Sequence, residues 1–382
     1  MTTHSDLDRP SDPASMPRVR RRLRRRDAWR EALPRVRRAV ITGSVALVVL
    51  VAVLLMVRFW PGRDAPGPPW FAGYTDVTVT PTYAFESSGA KDVVLAFIVA
   101  SPGDPCVPSW GHLYNLDDAG QQLKLDDRVK AMVSGGGRIG VSFGGSVNQE
   151  LANACKDQPA LTAAYRSVLR RYSPTLLDFD IEGDNLLDSA AGERRAQAIR
   201  QIQTERGPLD KGFGVWLTLP ASPRGLTDAG IAAVEQMLAA GVELTGVNIM
   251  TMNYGESRTS SQSMAEASKS AASFTHDQLD IIYQRAGVNL SSSALWSKIG
   301  LTPMIGQNDF PNEVFSTDAA GTLREFAVSK GVQRLSMWSL NRDSACPPGN
   351  GIGGPDHACS GVEQLPGQFA RILGSGMTGR MN

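Results

Sequence analysis

Leu176-Leu177-Asp178-Phe179-Asp180-Ile181-Glu182 is the stretch of the 382-residue chain from which the architecture can be read. Side chains of an extended segment alternate between its faces, so Leu177, Phe179 and Ile181 share one face and Asp178, Asp180 and Glu182 the other. The apolar face calls for helices laid over it, which puts the three carboxyl groups in the middle of a barrel and not on a solvated surface. A divalent cation could use such a face, with Asp309 and Asp343 as further oxygen ligands. The favoured reading is proton chemistry with neither metal nor cofactor. Alternate side chains on one face lie ~6.6 Å apart along the strand. Crowded acids at that spacing raise at least one pKa, so one carboxyl group keeps a proton near neutrality and can donate it. Glu182, the outermost, is placed to reach a molecule in the mouth.

Seven other short apolar or alternating runs accompany this one, at 74–79, 93–99, 139–143, 214–219, 246–252, 299–304 and 334–338, besides 176–181 itself. Segments of helical period lie between them, clearest at 159–172, 189–204, 228–240 and 317–330. Alternating strands and helices imply parallel strands, and eight pairs allow closure into an α/β fold of the (β/α)8 TIM barrel type. An open doubly wound sheet is the rival, but no Gly-rich phosphate loop follows the first run.

The N-terminal part reads differently. Residues 1–38 hold twelve Arg against five Asp and Glu, a net +7, while the remainder, with 27 Lys and Arg against 33 Asp and Glu, nets −6. That asymmetry is not the even basic stripe of a nucleic-acid binder, so no nucleic-acid partner is expected. Residues 39–57 carry no charge over 19 positions, long enough for a single transmembrane helix, which needs ~20 apolar residues. A cleaved secretory signal competes, but the run ends in Met56-Val57-Arg58-Phe59-Trp60 without a small-residue cleavage site. Arg35, Arg37 and Arg38 before the span orient the N-terminus to the cytoplasm and the body to the outside of the cell membrane. A Pro/Gly-rich linker is expected at 58–73 and a single catalytic domain at 74–382.

Four cysteines lie beyond the span. An even number suits an oxidising compartment and permits three pairings, of which Cys346 with Cys359 and Cys106 with Cys155 are preferred. Zinc is disfavoured, because the chain has no CxxC and His112, His276 and His357 are scattered. Arg exceeds Lys by 31 to 8 among abundant Ala and Gly, which points to a GC-rich bacterial genome.

Chemistry in a barrel gathers where the strands end. The third run ends Ser142-Phe143-Gly144-Gly145, the sixth continues Met250-Thr251-Met252-Asn253-Tyr254-Gly255, the seventh leads to Gln307-Asn308-Asp309, and the eighth ends at Trp338. Carboxamides, a phenol and an indole around acids are sugar-binding chemistry: aromatic faces stack on pyranose rings while Asn and Gln bond hydroxyl or acetamido groups. Ser142, Gly144, Gly145, Met250, Asn253, Tyr254, Gln307, Asn308 and Trp338 are therefore the expected substrate-binding set.

These residues resemble glycoside hydrolase family 18, the chitinases. Ser142-Phe143-Gly144-Gly145 is similar to the SxGG motif, Asp178 to Glu182 to the end of DxxDxDxE, Met250 to Gly255 to a sixth-strand motif of the form MTMDYG, and Trp338 to the eighth-strand tryptophan. The resemblance implies substrate-assisted, retaining hydrolysis of β-1,4 bonds in N-acetylglucosamine-containing glycans. Glu182 would be general acid and base, Asp180 would stabilise an oxazolinium, Asp178 would share a charge or proton with Asp180, and Trp338 would floor the reacting subsite. Three positions depart from the pattern: Thr175 for the leading Asp, Met252 for the tyrosine that assists the acetamido group, and Asn253 for an Asp. A catalytically silent chitin- or peptidoglycan-binding protein on the same barrel is the alternative function.

Overall fold

The computed structural model of the protein describes residues 67–205, 212–347 and 356–381. The expected tail, the span at 39–57 and most of the linker lie outside the described residues. Among the described residues no helix is long and apolar enough to cross a membrane.

Eight parallel strands form the barrel. The first runs in two pieces, Trp70–Phe71 and Gly73–Asp76, followed by Asp92–Ala100, Arg138–Gly144, Leu176–Asp180, Gly214–Ser222, Gly246–Met250, Ile299–Thr302 and Arg334–Leu335. Each neighbour in this order pairs in parallel, and the first strand closes the ring, Trp70–Phe71 pairing with the eighth strand and Gly73–Asp76 with the second. All eight expected runs are strands. The globular body nevertheless begins before residue 74: Trp70 is fully buried and meets Trp216 edge-on at 5.7 Å. Burying that indole inside the barrel outweighs the Pro/Gly-rich composition that read as spacer, because a buried aromatic contributes ~1.5–3 kcal/mol. Several strands stop short of the expected ends, since the residues after them leave the ladder to form the mouth.

The expected helices appear as Gln158–Tyr172, Ser189–Thr204, Asp228–Ala239 and Thr317–Lys330. The side chains of Asp157, Asp188, Thr227 and Ser316 cap their first turns, each cap stabilising by about 1 kcal/mol. A fifth long helix, Met264–Arg285, opens with a Ser263/Glu266 capping box and was not singled out by periodicity. Its buried face is mostly Ala, Ser and Thr, which carry too little hydrophobic contrast to reveal a 3.6-residue period.

Leu177, Phe179 and Ile181 are fully buried against the helices, where Phe179 stacks on Phe143 at 5.3 Å and meets Tyr165 at 5.5 Å. A second, smaller apolar cluster of Trp70, Ala72, Tyr74, Val94, Ala96, Leu176, Trp216 and Met381 fills the lumen below the acids. The row of carboxyl groups therefore sits inside the barrel, above this plug. Both preferred cysteine pairs are bonded, Cys106 to Cys155 and Cys346 to Cys359.

Candidate active site

The fourth strand lies between the third and fifth, and register decides what each acid meets: Asp178 stands opposite Ser142 and Trp216, and Asp180 opposite Gly144 and Thr218. Asp178 is fully buried and all its acceptor sites are used. One oxygen accepts from Thr218 Oγ1 and Arg334 Nη1, both at 2.7 Å, and the other from Tyr74 at 2.8 Å and Ser142 at 2.7 Å. Arg334 itself is fully buried on the eighth strand. Its guanidinium also donates to the Tyr74 hydroxyl at 2.7 Å and to Ser336 at 2.8 Å, and lies over the Trp70, Tyr74 and Trp216 rings at 5.3–5.6 Å. Asn248 extends this network by donating to Thr218 and Thr302. Charges this deep are tolerable only when paired and hydrogen-bonded: Arg334 is paired with Asp178, and each guanidinium nitrogen donates a bond.

Two residues up the strand the surroundings invert. Asp180 is 6% exposed, and its Oδ1 is buried without a protein partner. Burial, then the charges of Glu182 and Asp178, hold its pKa well above the usual carboxylate range. Glu182 is also raised, first by burial and further by Asp309. The two carboxyls are neighbours along one face of the strand, and the charge of Glu182 adds to burial in raising Asp180. Asp178, expected to share a charge or proton with Asp180, acts on it through its charge, which adds to the rise. Its own two oxygens are occupied by four donors.

Glu182 and Asp180 open into a cavity of about 320 Å³ whose lining includes Tyr74, Phe97, Met250, Met252, Asn253, Met304, Asp309, Trp338 and Arg342. Trp338 stacks on Phe97 at 5.3 Å with 22° between the planes, giving one wall an aromatic face suited to a pyranose ring. Of the expected substrate-binding set, Met250, Asn253 and Trp338 reach the cavity with the two acids. The others do not. Ser142 is fully buried and spends its hydroxyl on Asp178. Gly144 packs against the Asp180 backbone and Gly145 against the Phe97 ring. A Cβ at Gly144, where φ is +102°, would stand 2.0 Å from the Asp180 carbonyl oxygen, so the motif glycine is required by backbone approach and not by substrate. The side chain of Gln307 is turned into its own loop, donating to the carbonyls of Asn308 and Phe310, and Asn308 is fully buried against the carbonyls of Met304 and Gly306. Tyr254 is buried away from the cavity with its backbone N–H on Glu313, and so does not replace the tyrosine that Met252 displaces. Thr175, in place of the leading Asp, reaches toward the Ile139 carbonyl below the acids. The charged partner of Asp178 is Arg334, from the eighth strand.

Arg334, Tyr74, Thr218, Asn248 and Phe97 escaped the sequence reading. Arg334 on the eighth strand alternates with Ser336 and Trp338 in the extended segment that continues it, so the period that turned Trp338 inward also turns Arg334 inward. Arg342 is buried beside the cavity, and burial brings its pKa down to about 10. Asp343 does not face the acids: it accepts from the backbone of Phe369 and Ala370 at the start of helix Gln368–Gly374. Among the described residues no group of three or more His, Cys, Asp or Glu is arranged to hold a metal.

Over 325 residues, 80% of its length, the chain is 32% identical to a probable bifunctional chitinase/lysozyme of Escherichia coli (strain K12), of which it spans 35%. Over 302 residues, 74% of its length, it is 33% identical to Endochitinase 11 of Metarhizium anisopliae, of which it spans 56%. The chain thus spans less than two thirds of either relative. Among solved structures, the catalytic domain of a hyperthermophilic chitinase from Pyrococcus furiosus has a TM-score of 0.69 at 29% identity, over 83% of this chain and 98% of that one. Catalytic-site mutants of active domain 2 of a chitinase from the same organism, complexed with chito-oligosaccharides, give a TM-score of 0.69 over 97% of that chain. No protein-family model matches the chain.

Proposed function

We propose, from the support these likenesses lend to a chitinase-like glycoside hydrolase of family 18, that the chain hydrolyses β-1,4 bonds next to N-acetylglucosamine by substrate-assisted, retaining catalysis. The single observation that carries the reading is the pair of acids Asp180 and Glu182 opening together into a cavity walled by Trp338.

In the first step Glu182 gives its proton to the glycosidic oxygen as the bond from that oxygen to the anomeric carbon breaks. The carbonyl oxygen of the sugar's own 2-acetamido group attacks that carbon, forming an oxazolinium ion whose N–H donates to Asp180. The unpartnered Oδ1 of Asp180 is the acceptor available for that N–H. In the second step Glu182, now a carboxylate, takes a proton from water, whose oxygen attacks the anomeric carbon and returns the acetamido group. Two displacements leave the anomeric configuration retained. Asp178, clamped by Arg334, supports Asp180 from below without entering the proton transfers.

The natural substrates in this reading are chitin, chito-oligosaccharides, peptidoglycan or N-glycan cores at the cell surface, with residues 39–57 anchoring the barrel outside the membrane. Reporter release from a chito-oligosaccharide tests the catalysis. Glu182→Gln should lower kcat by about 10²–10⁴-fold while leaving oligosaccharide binding in place. Equal inertness of both proteins with retained binding would instead favour a silent sugar-binding protein. Protease protection of the N-terminus in sealed cells, with the body accessible, tests the anchor.

A further inference from the structure

Arg342 ends the short turn Leu340–Arg342 that follows Trp338. It is 1% exposed, yet it lines the same cavity as Asp180, Glu182 and Trp338. Its guanidinium is held by backbone alone: Nη1 donates to the Asp356 carbonyl, and Nη2 to the carbonyls of Ile305 at 3.0 Å and Gln307 at 2.7 Å. These bonds use three of the five N–H donors of a guanidinium, and Nε is buried with no partner. Arg195 and Arg334, the other buried arginines among the described residues, are each answered by a carboxylate, Glu150 at 2.8 Å and Asp178 at 2.7 Å. Arg342 has no such counter-ion among the described residues. Asp309 and Asp356 favour its charge, but burial outweighs them. Asp309 is itself engaged by Asn253, whose Nδ2 donates to its Oδ2 at 2.5 Å and whose Oδ1 accepts from its backbone N–H at 2.9 Å. His357, exposed on the same lining, belongs to the segment that the Cys346–Cys359 bond ties down.

We infer that Arg342 anchors a carboxylate of the glycan, so that the cavity prefers an N-acetylated amino sugar bearing a free acid on an ether arm, as in the glycan strands of peptidoglycan, over the neutral sugars of chitin. A buried cation without a counter-ion is costly, and an anion entering beside it removes that penalty while gaining charge-assisted hydrogen bonds. Neutral hydroxyl and acetamido groups gain less from the same donor. The acids of the lining, Asp180, Glu182 and Asp309, repel a carboxylate, so Arg342 also decides which end of the cavity the acid arm occupies. An arm tied to a peptide as an amide carries no charge. The preferred strands are therefore those from which an amide hydrolysis has already removed the peptide.

The inference rests on the hydrolase reading and deepens it. The full-length protein in detergent is offered peptide-free strands in which N-acetylglucosamine alternates with its lactyl ether, the same strands with the lactyl acid methyl-esterified, and chitohexaose. Wild type should turn over the free acid with kcat/KM about tenfold or more above the ester. Arg342→Gln should bring that ratio near one, and Arg342→Lys, which keeps the charge, should hold it between the two. Because the ratio is taken within each protein, a general loss of activity does not move it. A wild-type ratio near one overturns the inference without recourse to any variant, as does a wild-type ratio retained by folded Arg342→Gln. If acid and ester are used equally while chitohexaose is cut, the hydrolase reading stands and the assignment of Arg342 fails. If nothing is hydrolysed yet calorimetry shows the free acid binding about tenfold tighter than its ester, the cation site stands and the hydrolase reading fails.

Discussion

Asp178 and Asp180 are two residues apart on one strand and one face, yet they occupy opposite electrostatic worlds. Asp178 has four donors, one a guanidinium, and no free acceptor site. Asp180 has a buried oxygen without a partner and a second carboxyl beside it. The lower site is built to hold a charge still, and the upper one to keep a proton available. The difference teaches that the acid row is not three equivalent carboxyls but a saturated base carrying an under-satisfied working pair. Satisfied networks stabilise, whereas starved ones store the free energy that a substrate later releases.

The comparison breaks most severely at its cation. Arg334→Met strands Asp178 as an unpaired buried carboxylate, and urea denaturation should show a loss of about 3–5 kcal/mol. Adding Asp178→Asn should recover part of that loss, since the residual penalty belongs to the orphaned charge. A double mutant no more stable than Arg334→Met would show that the ion pair is not the coupling.

Removing a single neutral donor should cost less. Thr218→Val deletes one hydroxyl bond to Asp178 and leaves three, so a destabilisation of about 1–3 kcal/mol is expected, with the pH profile of hydrolysis nearly unchanged. A large displacement of the profile would mean that Asp178 is closer to the proton transfers than its saturation implies.

The smallest effect sharpens the upper half of the comparison, and its sign opposes the other two. The folded-state pKa of Asp180 is raised above its unfolded value, so the native state binds more protons between those values and stability falls as pH rises through that window. The favourable contribution is complete below the unfolded pKa and is lost as pH rises toward the folded one. Asp180→Asn removes this loss. Melting should rise by about 2 °C or more at pH 8 and change little at pH 4, while hydrolysis collapses. Equal melting shifts at both pH values would refute the under-satisfied assignment.

The positions of the acids were legible because alternation is a local rule. Leu177, Phe179 and Ile181 announce which way Asp178, Asp180 and Glu182 face, and the same rule found the other seven strands. The two disulfides agreed with the preferred pairing, although the cysteine count alone left three open. Gln307 and Asn308 misled for a physical reason: a carboxamide near a strand end satisfies its own loop carbonyls as readily as a sugar, and composition does not distinguish the two. Ser142 likewise has a hydroxyl fit for substrate or for Asp178, and only register gives it to Asp178. Trp70 was read as spacer because the prolines and glycines before it dominate its local window.

What the chain determines by itself is periodicity, which is encoded within a few residues: eight inward-outward strands, helices between them, and an acid row pointing into the lumen. What tertiary structure alone decided is who neutralises, clasps or abandons each acid. Arg334 meets Asp178 across 156 positions and Asn253 meets Asp309 across 56. No short-range pattern carries such partnerships, because they come into being only when ring closure brings strands eight and four into one lumen and sets loops six and seven side by side.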